Sequence, residues 1–205
     1  MSGLVVLLGP DGSGKSTIGD LVAQSLYKQP YKICRRYEYN FRILPELKQF
    51  KRVVAKMLGR QVQEAEVVDP GTKGSGMNAD HNALKGMVYV TYYALDYILG
   101  RLPLFKLRGQ GAMLMFARFF HDYYYQRGYG KVPRWYLRTL EALVPKPDLI
   151  LYLDRDADEI YRGKPELDAD EIRRQQKVIK EVVAKRPHAH VIDASQGIDA
   201  TVDAV

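Results

Sequence analysis

Short unbroken apolar runs alternate along this chain with stretches in which apolar residues recur every three or four positions, a pattern that predicts a parallel sheet covered by helices. Residues 4–8, Leu-Val-Val-Leu-Leu, read as a buried strand, and residues 15–28 carry Ile18, Leu21, Val22, Ser25 and Leu26 at helical spacing. A second strand is expected over 31–39 and a basic helix over 46–58. Residues 61–82 turn polar and glycine-rich, which predicts a mobile loop. A tyrosine-rich helix over 83–100 is expected to stop at Gly100, followed by strands at 112–116, 148–153 and 190–193. Helices are expected over 133–144 and 168–185, the second with acids at its start and basic residues towards its end, as the helix dipole favours. A last helix begins near Ile198; Val205 falls inside it, so a truncated end is compatible with the pattern. The fold class expected is three-layer α/β, a five-stranded parallel sheet with helices on both faces.

Gly9-Pro-Asp-Gly-Ser-Gly14-Lys15-Ser16 satisfies the pattern G-x-x-x-x-G-K-S/T and sits between a predicted strand and a predicted helix, the context that makes it a P-loop. Gly9, Gly12 and Gly14 let the backbone curl so that the amides of residues such as Ser13 point inward at phosphate oxygens, and the following helix adds the positive end of its dipole. Lys15 is expected to reach the outer phosphates of ATP, Ser16 to complete the shell of a Mg²⁺ ion, and Thr17 to bond the inner phosphate. Asp11 reads either as a turn residue or as a contact to the acceptor.

Composition narrows the class. The 205 residues suit one domain of generous size, and neither a repeat nor a linker divides them. Cys34 is the only cysteine, which excludes an intramolecular disulfide and a cysteine-based metal site and points to a reducing cytoplasm. No segment approaches the ~20 apolar residues that span a bilayer, and the run at 4–8 is too short for a signal-peptide core. The net charge of +7 is scattered among acids and forms no basic aromatic groove, so nucleic acid is not the expected partner. His81, His121, His188 and His190 have no convincing zinc spacing and read as surface or packing residues.

With the P-loop in place, the rest of the chain resembles the thymidylate kinase family, and particularly its divergent bacterial relatives associated with surface-polysaccharide genes. Phe116-Ala117-Arg118-Phe119 falls where the family carries Asp-Arg-Tyr at the end of the third strand; Lys146 to Asp154 resembles its fourth strand, residues 155–168 its lid region, and Ile192-Asp-Ala-Ser-Gln196 the loop beside the adenine. The resemblance implies Arg118 on the transferred phosphoryl group or the acceptor, Arg162 with Lys164 as lid residues over ATP, and Ser195 and Gln196 near the base. Each has a plainer alternative: a strand-end salt bridge, a solvated helix end, a turn. Tyr123 and its tyrosine neighbours, in a segment similar to that of the divergent relatives, read as lining for a sugar or base or as a packed aromatic cluster.

Three departures bear on activity. Ala117 stands where the family has an acid; either Asp122 or Asp154 substitutes, or the protein binds nucleotide without turning it over, or Ala117 is an engineered replacement. The family's segment after the second strand is replaced by Arg35 to Arg42, which puts Arg42 on the acceptor side. The helix position of a phosphate-gripping arginine reads Tyr92-Tyr-Ala-Leu-Asp96-Tyr97, and a carboxylate suits hydroxyls better than a phosphate. Asp96 facing the acceptor and Asp96 paired with Arg101 are both open. The expected activity is ATP-dependent phosphoryl transfer to a small-molecule or glycan acceptor, or failing turnover a nucleotide sensor; a homodimer is left open.

Overall fold

The computed structural model describes residues 2–27, 34–37, 40–45 and 82–205. The helix expected over 46–58 and the loop over 61–81 lie outside these residues, as do the two ends of the strand expected over 31–39.

The elements are β1 (Gly3–Leu8), α1 (Lys15–Tyr27), β2 (Cys34–Tyr37), α2 (Ala83–Leu99), α3 (Arg101–Gly109), β3 (Met113–Phe116), the 3₁₀ turns Phe120–Tyr124 and Arg127–Tyr129, α4 (Arg134–Leu143), β4 (Leu149–Asp154), α5 (Ala157–Gly163), α6 (Ala169–Val183), β5 (Ala189–Asp193) and α7 (Ile198–Ala204). All strand pairings are parallel and the sheet order is β2-β3-β1-β4-β5. This is the α/β fold that the apolar runs predict. β1 is central and buried along its whole length, which is why it reads as a continuous run rather than an alternation.

The side chains of β1 still divide by face. Leu4, Val6 and Leu8 join Leu114, Phe116, Ile150 and Tyr152 beneath α2, α3, α4 and α6. Val5 and Leu7 pack with Ile18, Val22, Met115 and Leu153, covered by α1 and α7. Because β1 lies between β3 and β4, connections leave it in opposite directions, and the crevice at its carboxyl end is the place where such sheets bind ligands.

One helix was not legible. Gly100 ends α2, as expected, but also leads straight into α3, whose Pro103 falls in the first turn, where no intrahelical N–H partner is lost. Gly100 has ordinary helical angles; it is small because Phe41 packs over it, and a Cβ there would lie 2.1 Å from the Phe41 ring.

Candidate functional site

The chain leaves β1 at Gly9 and enters α1 at Lys15 through the glycine loop. A Cβ on Gly9 would stand 2.4 Å from Ser13 Oγ, and Gly12 and Gly14 both have φ of +91°, a region that side chains disfavour. A Cβ on Gly12 would also stand 3.2 Å from Ile160 and Lys164 of the α5 region, so a larger residue would press against that region. The turn is closed by Ser13 N–H donating to Pro10 O at 3.2 Å and Ile18 N–H to Gly14 O at 2.9 Å. Ser13 Oγ is buried with no hydrogen-bond partner among the described residues. An orphaned hydroxyl inside a curl of glycines, at the amino end of a 13-residue helix, fits a bound anion.

Lys15 is only 6% exposed. Its Nζ donates to Gly9 O at 2.6 Å and Pro10 O at 2.7 Å, and lies 4.0 Å from Asp11. Burial brings its pKa down to about 8, with the Asp11 carboxylate opposing and Arg118 assisting. Arg118, just past β3, forms an ion pair with Asp11. The strand-end salt bridge is therefore present, and its partner is the P-loop acid itself.

A cavity of about 670 Å³ opens beside the loop, within the usual range for small-molecule sites. Asp11, Gly12 to Ile18, Ala117 and Arg118 line it together with Arg155, Lys164, Ser195 and Thr201. Of the residues singled out in the sequence, the P-loop, Arg118 and Ser195 thus meet in one place. Gly9 lies beneath them through its carbonyl. Ser195 is also in a turn, with its N–H and hydroxyl both donating to Asp193 Oδ1 and Gln196 Nε2 donating to Oδ2; Gln196 does not line the cavity. Arg155 and Thr201 are lining residues that the sequence reading passed over. Arg155 follows directly on β4, so a cation one position beyond a strand adjacent to the P-loop strand was the available signal.

Other positions lie apart. Arg162 donates to Asp158 O of its own helix at 3.2 Å, is exposed and does not line the cavity, so the helix-end alternative describes its present position. Asp96 has neither of its two expected environments. It is fully buried and accepts the N–H groups of Arg42, Ile43 and Leu44 at 3.1, 2.7 and 2.7 Å, while Arg101 reaches Val144 O. This carboxylate fixes the chain after β2 against α2, and removing it would strand three amides at a cost of several kcal/mol, about 1–3 for each one left unsatisfied. Arg42 is exposed on that loop with φ of +55°. Tyr123 is buried in an aromatic cluster, its ring 4.7 Å from Tyr129 edge to face and 6.3 Å from Tyr93 in a stacked arrangement.

The two acids that could stand in for Ala117 differ sharply. Neither lines the cavity; Asp154 accepts from Tyr152 at 2.7 Å and pairs with Lys180 at 2.8 Å. Asp122 is 3% exposed, and Oδ1 accepts the Tyr125 hydroxyl at 2.7 Å. Burial raises its pKa to about 6 against the pull of Arg118 and Lys15. Tyr125 also lies 3.2 Å from Gly9 O, which ties Asp122 to the base of the P-loop.

Behind Asp122 sits a second network that the sequence did not disclose. Buried His121 stands with Nε2 3.2 Å from Glu141 Oε1, and burial lowers its pKa, so the neutral ring donates through Nε2. Glu141 also accepts from Tyr124 at 2.5 Å and pairs with Arg186. Burial alone would raise the Glu141 pKa, but the hydrogen bonds from His121, Tyr124 and Arg186 outweigh it and hold the carboxyl at about 2. Arg134 and Arg174 donate to the carbonyls of Tyr124 and Tyr125 at 2.8 and 2.6 Å. The segment after β3 is thus clamped to α4 and α6 on either side of the residue that faces the P-loop.

Taken together, a parallel sheet of this order with a lysine-bearing glycine loop after its central strand is a P-loop kinase fold. More particularly, the fold is thymidylate kinase-like: the solved structure of thymidylate kinase from Ehrlichia chaffeensis is similar over 99% of this chain and 96% of that chain, with a TM-score of 0.60 and 18% sequence identity. No protein-family model matches the chain, and no curated protein matches it. Among the described residues no helix is long and apolar enough to cross a membrane, and no group of three His, Cys, Asp or Glu residues could hold a metal ion.

Proposed function

We propose that this chain is an ATP-dependent phosphotransferase that moves the γ-phosphoryl group to a small acceptor. The observation that carries the reading is Lys15, a buried ammonium at the mouth of a glycine curl, facing an ion pair between the P-loop acid and an arginine from the neighbouring strand. Amides of residues 12–17 would hold the phosphates of ATP, and Lys15 and Arg118 would neutralise charge developing in transfer. Ser16 would hold Mg²⁺, which supplies charge neutralisation between the outer phosphates when bound. Lys164 and Arg155, which also line the cavity, are the cations we assign to the lid, with Arg162 joining them if the α5 region closes. Ser195 borders the place where the base would lie, with Gln196 next to it. Asp11 has two demands on it, the Arg118 pair and the acceptor.

The likeness to a thymidylate kinase supports a nucleoside monophosphate as acceptor; Ala117 and the tyrosines support a sugar or glycan hydroxyl, with Arg42, Asp122 and Tyr123 on the acceptor side, while Asp96, spent on backbone amides, no longer bears on the choice. A second reading, a nucleotide sensor without turnover, draws on Ala117 alone, and the ionisable Asp122 beside Lys15 weighs against it. The lone cysteine supports a cytoplasmic setting. Leu84, Val88, Leu95 and Leu99 on α2, with Leu102 and Phe105 on α3, are exposed apolar residues, and this is the face we assign to a homodimer.

Transfer of labelled phosphate from ATP to a set of acceptors tests the reading. A phosphorylated product formed with Mg²⁺ and lost on its removal is expected; tight nucleotide binding with no product from any acceptor and no hydrolysis would leave the sensor.

A further inference from the structure

The Asp122 carboxylate is only half used. Oδ1 accepts from Tyr125, whereas Oδ2 is buried and has no hydrogen-bond partner among the described residues. A buried carboxylate oxygen left without a donor is costly, and such groups persist where chemistry uses them.

We propose that Asp122 is the catalytic base of the reaction and that its substrate is an uncharged hydroxyl compound, a sugar or polyol, rather than a phosphate ester. The inference rests on the phosphotransferase reading of the same site.

Charge supports the substrate class. Lys15 and Arg118 are matched by Asp11 and Asp122, and Arg118 is already paired with Asp11. A phosphate-ester acceptor would bring about two further negative charges to this balanced group, and its attacking oxygen, ionised at neutral pH, needs no base. A hydroxyl, in contrast, is a poor nucleophile until its proton has somewhere to go. α2 offers little to a phosphate: its one cation, Lys85, lies in the first turn over the Tyr89 ring, and Asp96 is spent on the amides of residues 42–44. What α2 does carry is Tyr89 and Tyr93, half-buried at successive turns, with Tyr93 against Tyr123 and Tyr97 buried a turn further on. Flat faces with hydroxyl rims suit a sugar.

In the transfer, the acceptor O–H proton passes to Asp122 Oδ2 as the oxygen's electron pair forms the new bond to the γ-phosphorus. The bond from that phosphorus to the bridging oxygen breaks, its electron pair leaves on ADP, and Lys15 meets the charge that develops there. Asp122 returns its proton to solvent when the products leave. The groups that set the ionisation of Asp122 are Lys15 and Asp11 from the P-loop, Arg118 from the end of β3 and Tyr125 from its own segment, while Tyr123 and, on α2, Tyr97 are neighbours whose own ionisation Asp122 opposes. Burial outweighs the two cations and leaves a carboxyl of pKa about 6, ionised at neutral pH and still able to take a proton.

The test compares wild type, Asp122→Asn and Asp122→Glu in transfer of labelled phosphate to glucose, galactose, mannose, glycerol and thymidine monophosphate, between pH 5 and 9. Binding of a non-hydrolysable ATP analogue is measured by calorimetry in parallel. At least one polyol is expected to exceed thymidine monophosphate in kcat/KM. The polyol rate in wild type should fall as pH drops through about 6 and the carboxylate is lost. Asp122→Asn should lower kcat by about 10²-fold or more with the analogue's Kd within about threefold of wild type, and Asp122→Glu should recover part of the rate. Preferred transfer to thymidine monophosphate, no transfer to any polyol, or a polyol rate that survives Asp122→Asn would each overturn the proposal. So would loss of analogue binding in Asp122→Asn, which would make Asp122 a support of the P-loop. Failure of the wild-type protein to bind the analogue would sink the phosphotransferase reading itself, a result separate from all of these.

Discussion

Lys15→Ala is expected to lower phosphoryl transfer by about 10³-fold or more while leaving thermal stability at pH 7 unchanged or raised. The two halves come from one fact. A buried ammonium with its pKa brought down from 10.5 to about 8 is worse off charged in the folded protein than in the unfolded chain. Between those two values the unfolded state binds more protons, so stability rises with pH there, and at pH 7 the full penalty is present, on the order of 3 kcal/mol. Alanine removes that penalty, offset in part by lost packing of the lysine stem. An ordinary structural lysine would behave in the opposite way, losing stability on truncation without affecting turnover. Steady-state kinetics with a thermal melt on the same preparation distinguishes them, and a full-rate Lys15→Ala enzyme would remove the P-loop from the mechanism.

Glu141→Ala is expected to lower stability by dismantling one partly buried charged network. It leaves buried His121 and half-buried Arg186 without their shared acceptor and frees the Tyr124 hydroxyl. Charge-assisted bonds of this kind contribute about 1.5–3 kcal/mol each in favourable cases, and water reaches a side chain that is 22% exposed, so a loss of about 2–3 kcal/mol in all is expected. For a chain of this size that is a fall in Tm of roughly 5–10 °C. The sign with pH follows from the depressed pKa. The Glu141 contribution is complete above about 4.5 and disappears as pH falls towards about 2, so wild type and Glu141→Ala should converge in acid. An equal deficit at pH 7 and pH 2.5 would show that the loss comes from packing rather than from the carboxylate. Because Glu141 holds the segment that carries Asp122, the variant should also lose turnover at temperatures where it is still folded.

What could be read from the chain and what could not divide by sequence distance. The P-loop was legible because its function resides in eight consecutive residues between two recognisable elements. β1, β3 and β4 were legible because strands buried on both faces are unbroken apolar runs. α3 escaped because Pro103 and alternating cations disguise its period, and because Gly100, which does stop α2, gives no sign that a second helix starts at once; its smallness also leaves room for Phe41. The 3₁₀ turns at 120–124 and 127–129 have no period to find, only a density of tyrosine. Asp96 illustrates the harder limit. Its three partners lie 52 to 54 residues away, and only the folded chain reveals that an acid on a tyrosine-rich helix is spent on amides rather than offered to a ligand. Asp122 was legible as an acid near the right strand; its orphaned oxygen and its bond to Tyr125 at the foot of the P-loop were not.

Every role assigned to these residues requires the glycine loop to hold the phosphates of a nucleotide. The most direct test of this is a crystal structure of the protein with a non-hydrolysable ATP analogue and Mg²⁺. The result expected is a triphosphate wrapped by residues 12–17, with Lys15 Nζ released from the Gly9 and Pro10 carbonyls to the outer phosphates and Ser16 on the metal. An analogue bound elsewhere, with Lys15 still folded onto its own loop, would contradict it.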